Sequence, residues 1–123
     1  MKSATMMGME LRRFAKPDEV RNFEKGKVEL LHMGEDVIGR ITLQPGWRWS
    51  RCVKQIAGTD WCEAPHYQYV ISGRLHFLTA DGQEFDLGPG DCLHIGGGHD
   101  AWVVGDEPFV AIDWAGMGAY AKP

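Results

Sequence analysis

The sequence has no long apolar run, no excess of basic residues and no sustained helical period of hydrophobic residues. No stretch approaches the roughly 20 apolar residues that cross a bilayer, so we expect neither a transmembrane helix nor a membrane partner. Thirteen Lys and Arg stand against seventeen Asp and Glu, for a formal charge of −4. A nucleic-acid partner is not expected either, because nonspecific binding needs a basic surface that displaces counterions.

Cysteine is scarce, and its three copies are an odd number: Cys52, Cys62 and Cys92. Residues 1–10 contain no apolar segment of the kind found in signal peptides. An odd cysteine count without a secretory signal argues against a disulfide framework and favours free thiols in the reducing cytoplasm. We therefore predict a cytoplasmic protein, in which the thiols are either buried structural groups or metal and redox groups.

The length of 123 residues predicts one domain. Sixteen glycines and six prolines recur between short apolar runs, which is typical of short strands joined by turns. Asp81-Gly82 is a signal for a type I′ hairpin. About ten short strands at near-regular spacing predict an all-β antiparallel sandwich or barrel. The predicted strands cover residues 27–33, 36–44, 47–54, 66–72, 74–79, 83–87, 92–95, 101–104 and 109–114.

Three segments divide the predicted domain. Residues 1–26 form an N-terminal arm, with a short helical turn at 17–21, where a proline and two acidic residues stand as at a helix start. Residues 27–116 form the barrel, and residues 117–123 form a C-terminal tail.

Several motifs resemble those of the cupin superfamily. The cupin strand and turn E-x-x-Y-V-L-x-G is similar to HYQYVISG at 66–73, and the segment that follows it is similar to DG at 81–82 and LGPGD at 87–91. A group of small single-domain bacterial cupins of unassigned role resembles this chain in PGWRWS at 45–50 and GHDAW at 98–102. The resemblance implies a double-stranded β-helix (jelly-roll) barrel that often binds a metal and often forms a dimer.

The usual cupin metal ligands are absent from both motifs that carry them. In the first motif, His66 stands at the position of the family's Glu ligand, and Cys62 and Asp60 stand at its two His positions. A second alignment of the same motif to this sequence places Cys52 and Lys54 at those two positions instead. The second motif has neither its His nor its Asn. The four-ligand Fe, Mn or Ni site of the family, with its oxygenase and isomerase chemistry, is therefore not implied.

Cys62, His66 and His99 are the candidate metal ligands. Pro65 lets the chain turn between Cys62 and His66, so that both side chains can enter one cavity. His99 lies two residues before the position where the second cupin motif has its His, and therefore on the same face of a regular strand. Thiolate and imidazole suit zinc, and three protein ligands plus water make an open zinc site. We expect a divalent metal, zinc before others. A buried thiol beside a hydrogen-bonded histidine explains the same residues equally well.

A ligand pocket is predicted at the barrel mouth, where large aromatic side chains and a few polar groups meet. Core packing or a dimer contact is the better explanation for at least two of the tryptophans, and simple burial for Cys52. Asp100 either orients the imidazole of His99 or is a solvated loop carboxylate, which we slightly prefer. Cys92 is predicted to lie in the core. The candidate pocket residues are Trp47, Trp49, Cys52, Asp60, Gln68, Asp100 and Trp102.

Three functions stay open at this point. The first is a barrel that binds a small-molecule ligand, with a non-standard Cys/His metal site. The second is a metal-dependent lyase, isomerase or hydrolase acting on a small organic acid. The third is a structural or interaction module without a metal. We also expect a homodimer formed through the N-terminal strands, because an open sheet edge invites pairing.

Overall fold

Two antiparallel β-sheets form the fold in a computed structural model that describes residues 8–122. The large sheet has six strands in the order β1-β2-β3-β9-β4-β7, and the small sheet has three in the order β6-β5-β8. The strands are β1 Glu19–Phe23, β2 Gly26–Met33, β3 Asp36–Leu43, β4 His66–Ser72, β5 Leu75–Thr79, β6 Glu84–Leu87, β7 Cys92–Ile95, β8 His99–Val103 and β9 Phe109–Asp113. Two short helices, α1 Trp49–Cys52 and α2 Lys54–Ala57, lie between β3 and β4.

One hydrophobic core lies between the two sheets, because side chains alternate between the faces of each strand. Strand β4 shows the alternation clearly. His66, Gln68 and Val70 are buried, while Tyr67 and Tyr69 are exposed. Two polar side chains of β4 therefore face inward. The fully buried side chains of the core include Leu30, Leu43, Trp49, Val53, Phe77, Phe109 and Met117.

The predicted all-β jelly-roll architecture is confirmed, and eight of the predicted strands are present with ends that move by two residues at most. Their positions could be read from sequence because glycine and proline turns separate them. Residues 1–7 of the predicted arm lie outside the described residues.

Two local predictions are wrong. The helical turn at 17–21 is replaced by β1, whose Val20 and Arg21 pair with Glu29 and Val28 of β2. Pairing with a neighbouring strand outweighs the weak local preference that proline and acids give for a helix start. The strand at 47–54 is replaced by α1 and α2.

The helices α1 and α2 follow from the spacing of buried residues in this segment. Trp49, Cys52 and Val53 are buried at positions i, i+3 and i+4, and Arg51 is exposed. This spacing is that of one helix face rather than of a strand. The helical segment places Trp49 beside the inward-facing end of β4, where both line one cavity.

Gly73, which joins β4 to β5, is required by both conformation and space. Its φ is +79°, and a Cβ there would lie 2.3 Å from the carbonyl oxygen of Pro108. We expect Gly73→Ala to lower the free energy of unfolding by about 2–4 kcal/mol in urea, from left-handed strain and overpacking together. Gly82→Ala is the control, with φ +91° and no atom within 4 Å of a Cβ. Equal losses in the two variants would contradict the expected steric clash.

Candidate metal centre

Cys62, His66 and His99 come together inside the barrel. One ligand atom from each lies within 4.8 Å of the others, and all three side chains are buried. The Sγ of Cys62 lies 4.0 Å from the Nε2 of His66. The imidazole rings of His66 and His99 have centroids 5.1 Å apart. The structure thus brings together the three side chains that the sequence predicted as metal ligands. Their binding of a metal stays a prediction.

The backbone positions these side chains by pairing the segment around Cys62 with the start of β8. The amide of Cys62 donates to the carbonyl of His99 at 2.8 Å, and the amide of Gly98 donates to the carbonyl of Cys62 at 2.8 Å. A Cβ at Gly97 would lie 2.7 Å from the carbonyl oxygen of Glu63. The glycines before His99 therefore permit the close approach that brings the thiol to the histidines.

Asp113, at the end of β9, orients His66. Its Oδ2 accepts a hydrogen bond from Nδ1 of His66 at 2.6 Å and another from Nε2 of Gln68 at 3.0 Å. Its Oδ1 accepts from the backbone amides of Tyr67 at 3.1 Å and Ala115 at 3.0 Å. The carboxylate is 0% exposed. Such a carboxylate fixes the tautomer of a histidine and makes the other ring nitrogen a better metal ligand.

The site pushes the pKa values of its two histidines in opposite directions. Burial lowers the pKa of His66, but the hydrogen bonds to Asp113 and Cys62 outweigh burial and raise it to about 9. Burial and then the nearby charge of His66 lower the pKa of His99 to about 4. His99 is therefore neutral at pH 7. Its Nδ1 donates to the carbonyl of Gly96 at 3.0 Å, which leaves the lone pair on Nε2 free.

A cavity of about 20 Å³ lies against this cluster. Cys62, His66 and His99 line it together with Trp47, Trp49, Gln68, Tyr120 and apolar core residues. Within residues 8–122, three buried side-chain nitrogen or oxygen atoms have no hydrogen-bond partner: Trp47 Nε1, Gln68 Oε1 and His99 Nε2. All three belong to side chains that line this one cavity.

The C-terminal segment closes one side of the site. Tyr120 is buried, and its ring meets that of His66 edge to face with centroids 5.7 Å apart. Beyond it lies a larger pocket of about 350 Å³, between α2, residues 62–65 and residues 116–122. Trp49, Cys62 and Tyr120 line both spaces, so these three side chains separate the inner cavity from the outer pocket.

Arg21 of β1 holds this C-terminal segment in place. Its guanidinium donates to the carbonyls of Met117 at 3.1 Å, Tyr120 at 2.7 Å and Gly118 at 3.2 Å. We expect Arg21→Met to speed amide hydrogen exchange in residues 119–122 at least about tenfold, because bonds from a charged donor contribute about 1.5–3 kcal/mol.

Arg40→Met is the matched control for Arg21→Met. Arg40 makes a two-contact ion pair with Glu29, at 2.9 and 3.1 Å, and its guanidinium has no hydrogen bond to the C-terminal segment within residues 8–122. Exchange in residues 119–122 should keep its wild-type rate in Arg40→Met. An unchanged rate in Arg21→Met would show that the three carbonyl contacts do not hold the segment.

The structure brings three of the seven predicted pocket residues to the inner cavity: Trp47, Trp49 and Gln68. Cys52 is buried in the core and does not line that cavity. Asp60 points into solvent with its side chain 92% exposed, because it follows α2 in an exposed loop. Of the residues that the two motif alignments place at the His positions, only Cys62 lines this cavity.

Asp100 and Trp102 share the face of β8 opposite to His99 and Ala101, and neither lines the cavity. Asp100 is buried, so the preference for a solvated carboxylate is wrong. It accepts from Nε of Arg48 at 3.2 Å and from the amide of Ser50 at 3.0 Å, and not from His99. Trp102 is half-buried between the guanidinium of Arg48 and the ring of His76. Both residues therefore support the segment before α1.

Cys92 is exposed rather than in the core. It lies on β7, an edge strand of the large sheet, opposite the exposed Tyr69. Its side chain therefore shares the outer face of that sheet.

Sequence reasoning missed Asp113, Tyr120 and Arg21. A signal for Asp113 was present, since Phe109, Ala111 and Asp113 share one face of β9 and an acid on an apolar face needs a partner. Tyr120 and Arg21 had none, because their contact joins residues about a hundred positions apart.

No helix in the described part of the chain is long and apolar enough to cross a membrane.

The chain matches no protein-family model and no curated protein. It does resemble solved structures. One is an uncharacterized protein of Klebsiella pneumoniae with a double-stranded β-helix domain, with 19% identity, a TM-score of 0.58, and 98% of this chain and 93% of that chain covered. Another is a cupin-2 domain protein of Rhodospirillum rubrum, at 14% identity, a TM-score of 0.56, and coverage of 88% and 67%.

A third solved structure is the oxalate decarboxylase of Lactobacillus farciminis, with 18% identity and a TM-score of 0.58. The match covers 83% of this chain and 32% of the decarboxylase, so this chain spans about a third of that enzyme's length. Together these likenesses define the fold: the chain has the double-stranded β-helix of cupin-type proteins. At these identities they define the fold alone.

Proposed function

We propose that this barrel binds a divalent metal, zinc, through Cys62, His66 and His99, and uses the site to hold a small-molecule ligand. The single observation that carries the proposal is the convergence of three buried ligand atoms within 4.8 Å. The Nε2 of His99 has no hydrogen-bond partner among residues 8–122. A buried nitrogen without a partner is costly unless something binds it.

The residues fit zinc in both distance and chemistry. Tetrahedral zinc with Zn–S near 2.3 Å and Zn–N near 2.0–2.1 Å keeps its sulfur and nitrogen ligands about 3.5 Å apart. The observed separation of Cys62 Sγ and His66 Nε2 is 4.0 Å. A side-chain movement of about half an ångström closes the difference for this pair, and the three ligand atoms together lie within 4.8 Å. One thiolate and two imidazoles form a ligand set that favours zinc over magnesium or calcium.

Each residue of the chain has a distinct role in this proposal. Cys62 supplies the anionic sulfur, while His66 and His99 supply neutral nitrogens. Asp113 holds the proton on Nδ1 of His66, and the Gly96 carbonyl does the same for His99. The Nε2 of His99 already has a free lone pair, and the Nε2 of His66 becomes a ligand when the metal displaces its proton. A bound zinc ion with three protein ligands would polarise a fourth, oxygen ligand.

The outer pocket supports a small-molecule ligand. Its volume of about 350 Å³ is at the lower end of the range for organic ligands. The inner cavity of about 20 Å³ admits little more than one water molecule. A ligand would therefore place its body in the outer pocket and approach the metal past Tyr120 and Trp49.

Metal analysis of protein purified without a His tag tests the proposal. We expect about one zinc per chain by plasma mass spectrometry after dialysis against a zinc buffer, and less than about a tenth of that in Cys62→Ser. Cys92→Ser is the matched control because Cys92 is exposed and lies outside the cluster. Full zinc binding by Cys62→Ser would contradict the proposed ligand set. Absence of zinc from the wild type would contradict the metal site and favour a structural module.

A metal-dependent enzyme is the second candidate function, favoured by the outer pocket that adjoins the cluster. The oxalate decarboxylase shows that this fold can carry an enzyme whose substrate is a small organic acid. Turnover of one member of a panel of small organic acids, lost on chelation and restored by zinc, would establish it. Zinc binding without turnover would keep ligand binding as the function.

We also propose a homodimer, formed through the N-terminal strands. Strand β1 is one edge of the six-stranded sheet and pairs only with β2 within the described residues. Light scattering of the purified chain should give about twice the mass of one chain. A monomer mass across the concentrations used for zinc analysis would contradict this part of the proposal.

A further inference from the structure

Two buried polar groups beside the cluster have no role as metal ligands. Trp47 and Gln68 are each 2% exposed, and both line the inner cavity. Nε1 of Trp47 and Oε1 of Gln68 have no hydrogen-bond partner among residues 8–122. Each such buried atom costs about 1–3 kcal/mol if nothing satisfies it. One cavity therefore presents an unused donor and an unused acceptor beside the free nitrogen of His99.

The orientation of the Gln68 amide follows from Asp113. Nε2 of Gln68 lies 3.0 Å from Oδ2 of that carboxylate, which can only accept when it is ionised. The opposite orientation would set two oxygens against each other. Oε1 is therefore the atom left without a partner, and it is an acceptor only. The indole nitrogen of Trp47 is a donor only.

The cavity is small enough to specify what satisfies this pair. Its volume of about 20 Å³ accommodates about one oxygen atom with its hydrogens. A group that accepts from Trp47 and also donates to Gln68 must carry both a lone pair and a hydrogen. Water, hydroxide and the hydroxyl of an alcohol meet this requirement. A halide ion or a carboxylate oxygen does not, because it would face the Gln68 oxygen without a hydrogen between them.

We infer that Trp47 and Gln68 form the binding site for the fourth, oxygen ligand of the proposed metal and select hydroxyl-bearing ligands over anions. This inference rests on the proposed function and goes beyond it. It assigns two specificity-determining residues and a ligand class: water at rest, and a small alcohol or hydroxy compound when the outer pocket is filled.

Chloride binding to the cobalt(II) form of the full chain tests the proposed preference for hydroxyl-bearing ligands over anions. Cobalt replaces zinc in such sites, and its visible bands shift when the fourth ligand changes. Ionic strength is held constant with sodium perchlorate. We expect the wild type to bind chloride weakly and Gln68→Met to bind it about tenfold more tightly, because the variant lacks the oxygen that repels an anion. A tenfold change corresponds to about 1.4 kcal/mol.

The role of the Trp47 indole N–H as a hydrogen-bond donor is tested in the Gln68→Met background. Adding Trp47→Phe should weaken chloride binding at least about fivefold, since the indole N–H that donates to the anion is lost. Trp102→Phe in the same background is the matched control. Trp102 lines neither the inner cavity nor the outer pocket, and its nitrogen is not among the buried atoms without a partner. It should leave chloride affinity within about twofold.

The outcomes separate this inference from the proposed function. A wild type that shows no thiolate-to-cobalt charge-transfer band rejects the metal site and this inference with it. A wild type that shows the band while Gln68→Met binds chloride no more tightly overturns the inference alone. If Gln68→Met fails to form the band, a comparison of chloride binding by Trp47→Phe and Trp102→Phe in the wild-type background decides. Equal chloride affinity in those two variants would also overturn it.

Discussion

The Asp113→Ala protein will lose about 3–5 kcal/mol of its free energy of unfolding in the metal-free state. The change strands a buried, charged His66 and leaves three other donors unpaired: the Gln68 amide and the backbone amides of Tyr67 and Ala115. Because a domain of this size is stable by only about 5–15 kcal/mol, the loss is a large share of the total. Urea denaturation followed by tryptophan fluorescence measures it.

Two further variants test whether the loss of stability comes from the contacts of the Asp113 carboxylate. Asp113→Asn keeps the side-chain volume and one acceptor, so it should fold and still lower zinc affinity about 10–100-fold, because His66 loses its orienting carboxylate. Asp106→Ala removes an exposed carboxylate from the loop before β9 and should change stability by less than about 0.5 kcal/mol. A loss in Asp113→Ala no larger than that in Asp106→Ala would contradict the account.

The His66–Asp113 pair also gives the metal-free protein a pH dependence. The folded pKa of His66 is about 9, above its ordinary value of 6.5. The stabilisation is therefore complete below pH 6.5 and is lost as the pH rises toward 9. Urea midpoints of the metal-free wild type should fall across that window, and those of Asp113→Ala should fall less.

Saturating zinc will raise the melting temperature by about 15 °C. Zinc at about a thousand times its dissociation constant contributes about 4 kcal/mol, and each kcal/mol shifts the melting temperature of such a domain by about 4 °C. The increment should disappear in Cys62→Ala and His99→Ala. Differential scanning calorimetry with and without zinc measures it.

Cys52→Ala is the control for the zinc increment. Cys52 and Cys62 are both buried free thiols, but Cys52 lies on α1 outside the cluster. Cys52→Ala should lower the melting temperature of both forms by similar amounts and keep the zinc increment. An increment that survives in Cys62→Ala and vanishes in Cys52→Ala would place the metal elsewhere.

Local signals were sufficient to predict most strands and the convergence of Cys62 and His66. Turn glycines and prolines separate the strands, and the Cys62–His66 spacing across Pro65 brings two ligand types into one cavity. Strand parity placed His99 on the same face as Ala101, and the structure shows that this face points inward. These features depend on neighbours in sequence, and tertiary packing did not override them.

The remaining parts of the site depend on contacts between distant residues. Asp113 meets His66 across the β4–β9 pairing, and Arg21 meets Tyr120 across the whole length of the domain. The predicted strand at 47–54 failed because Trp47 and Trp49 alternate as in a strand, whereas the helical spacing of Trp49, Cys52 and Val53 spans little more than one turn. The open space near Gln68 could not be predicted either, since cavity size depends on how all the surrounding side chains pack.

X-ray absorption at the zinc edge tests the central claim most directly. The account predicts one sulfur at about 2.3 Å and two or three nitrogen or oxygen atoms at about 2.0–2.1 Å, with the sulfur lost in Cys62→Ser. A shell of oxygen and nitrogen without sulfur in the wild-type protein would contradict it. A sulfur that persists in Cys62→Ser would contradict it as well.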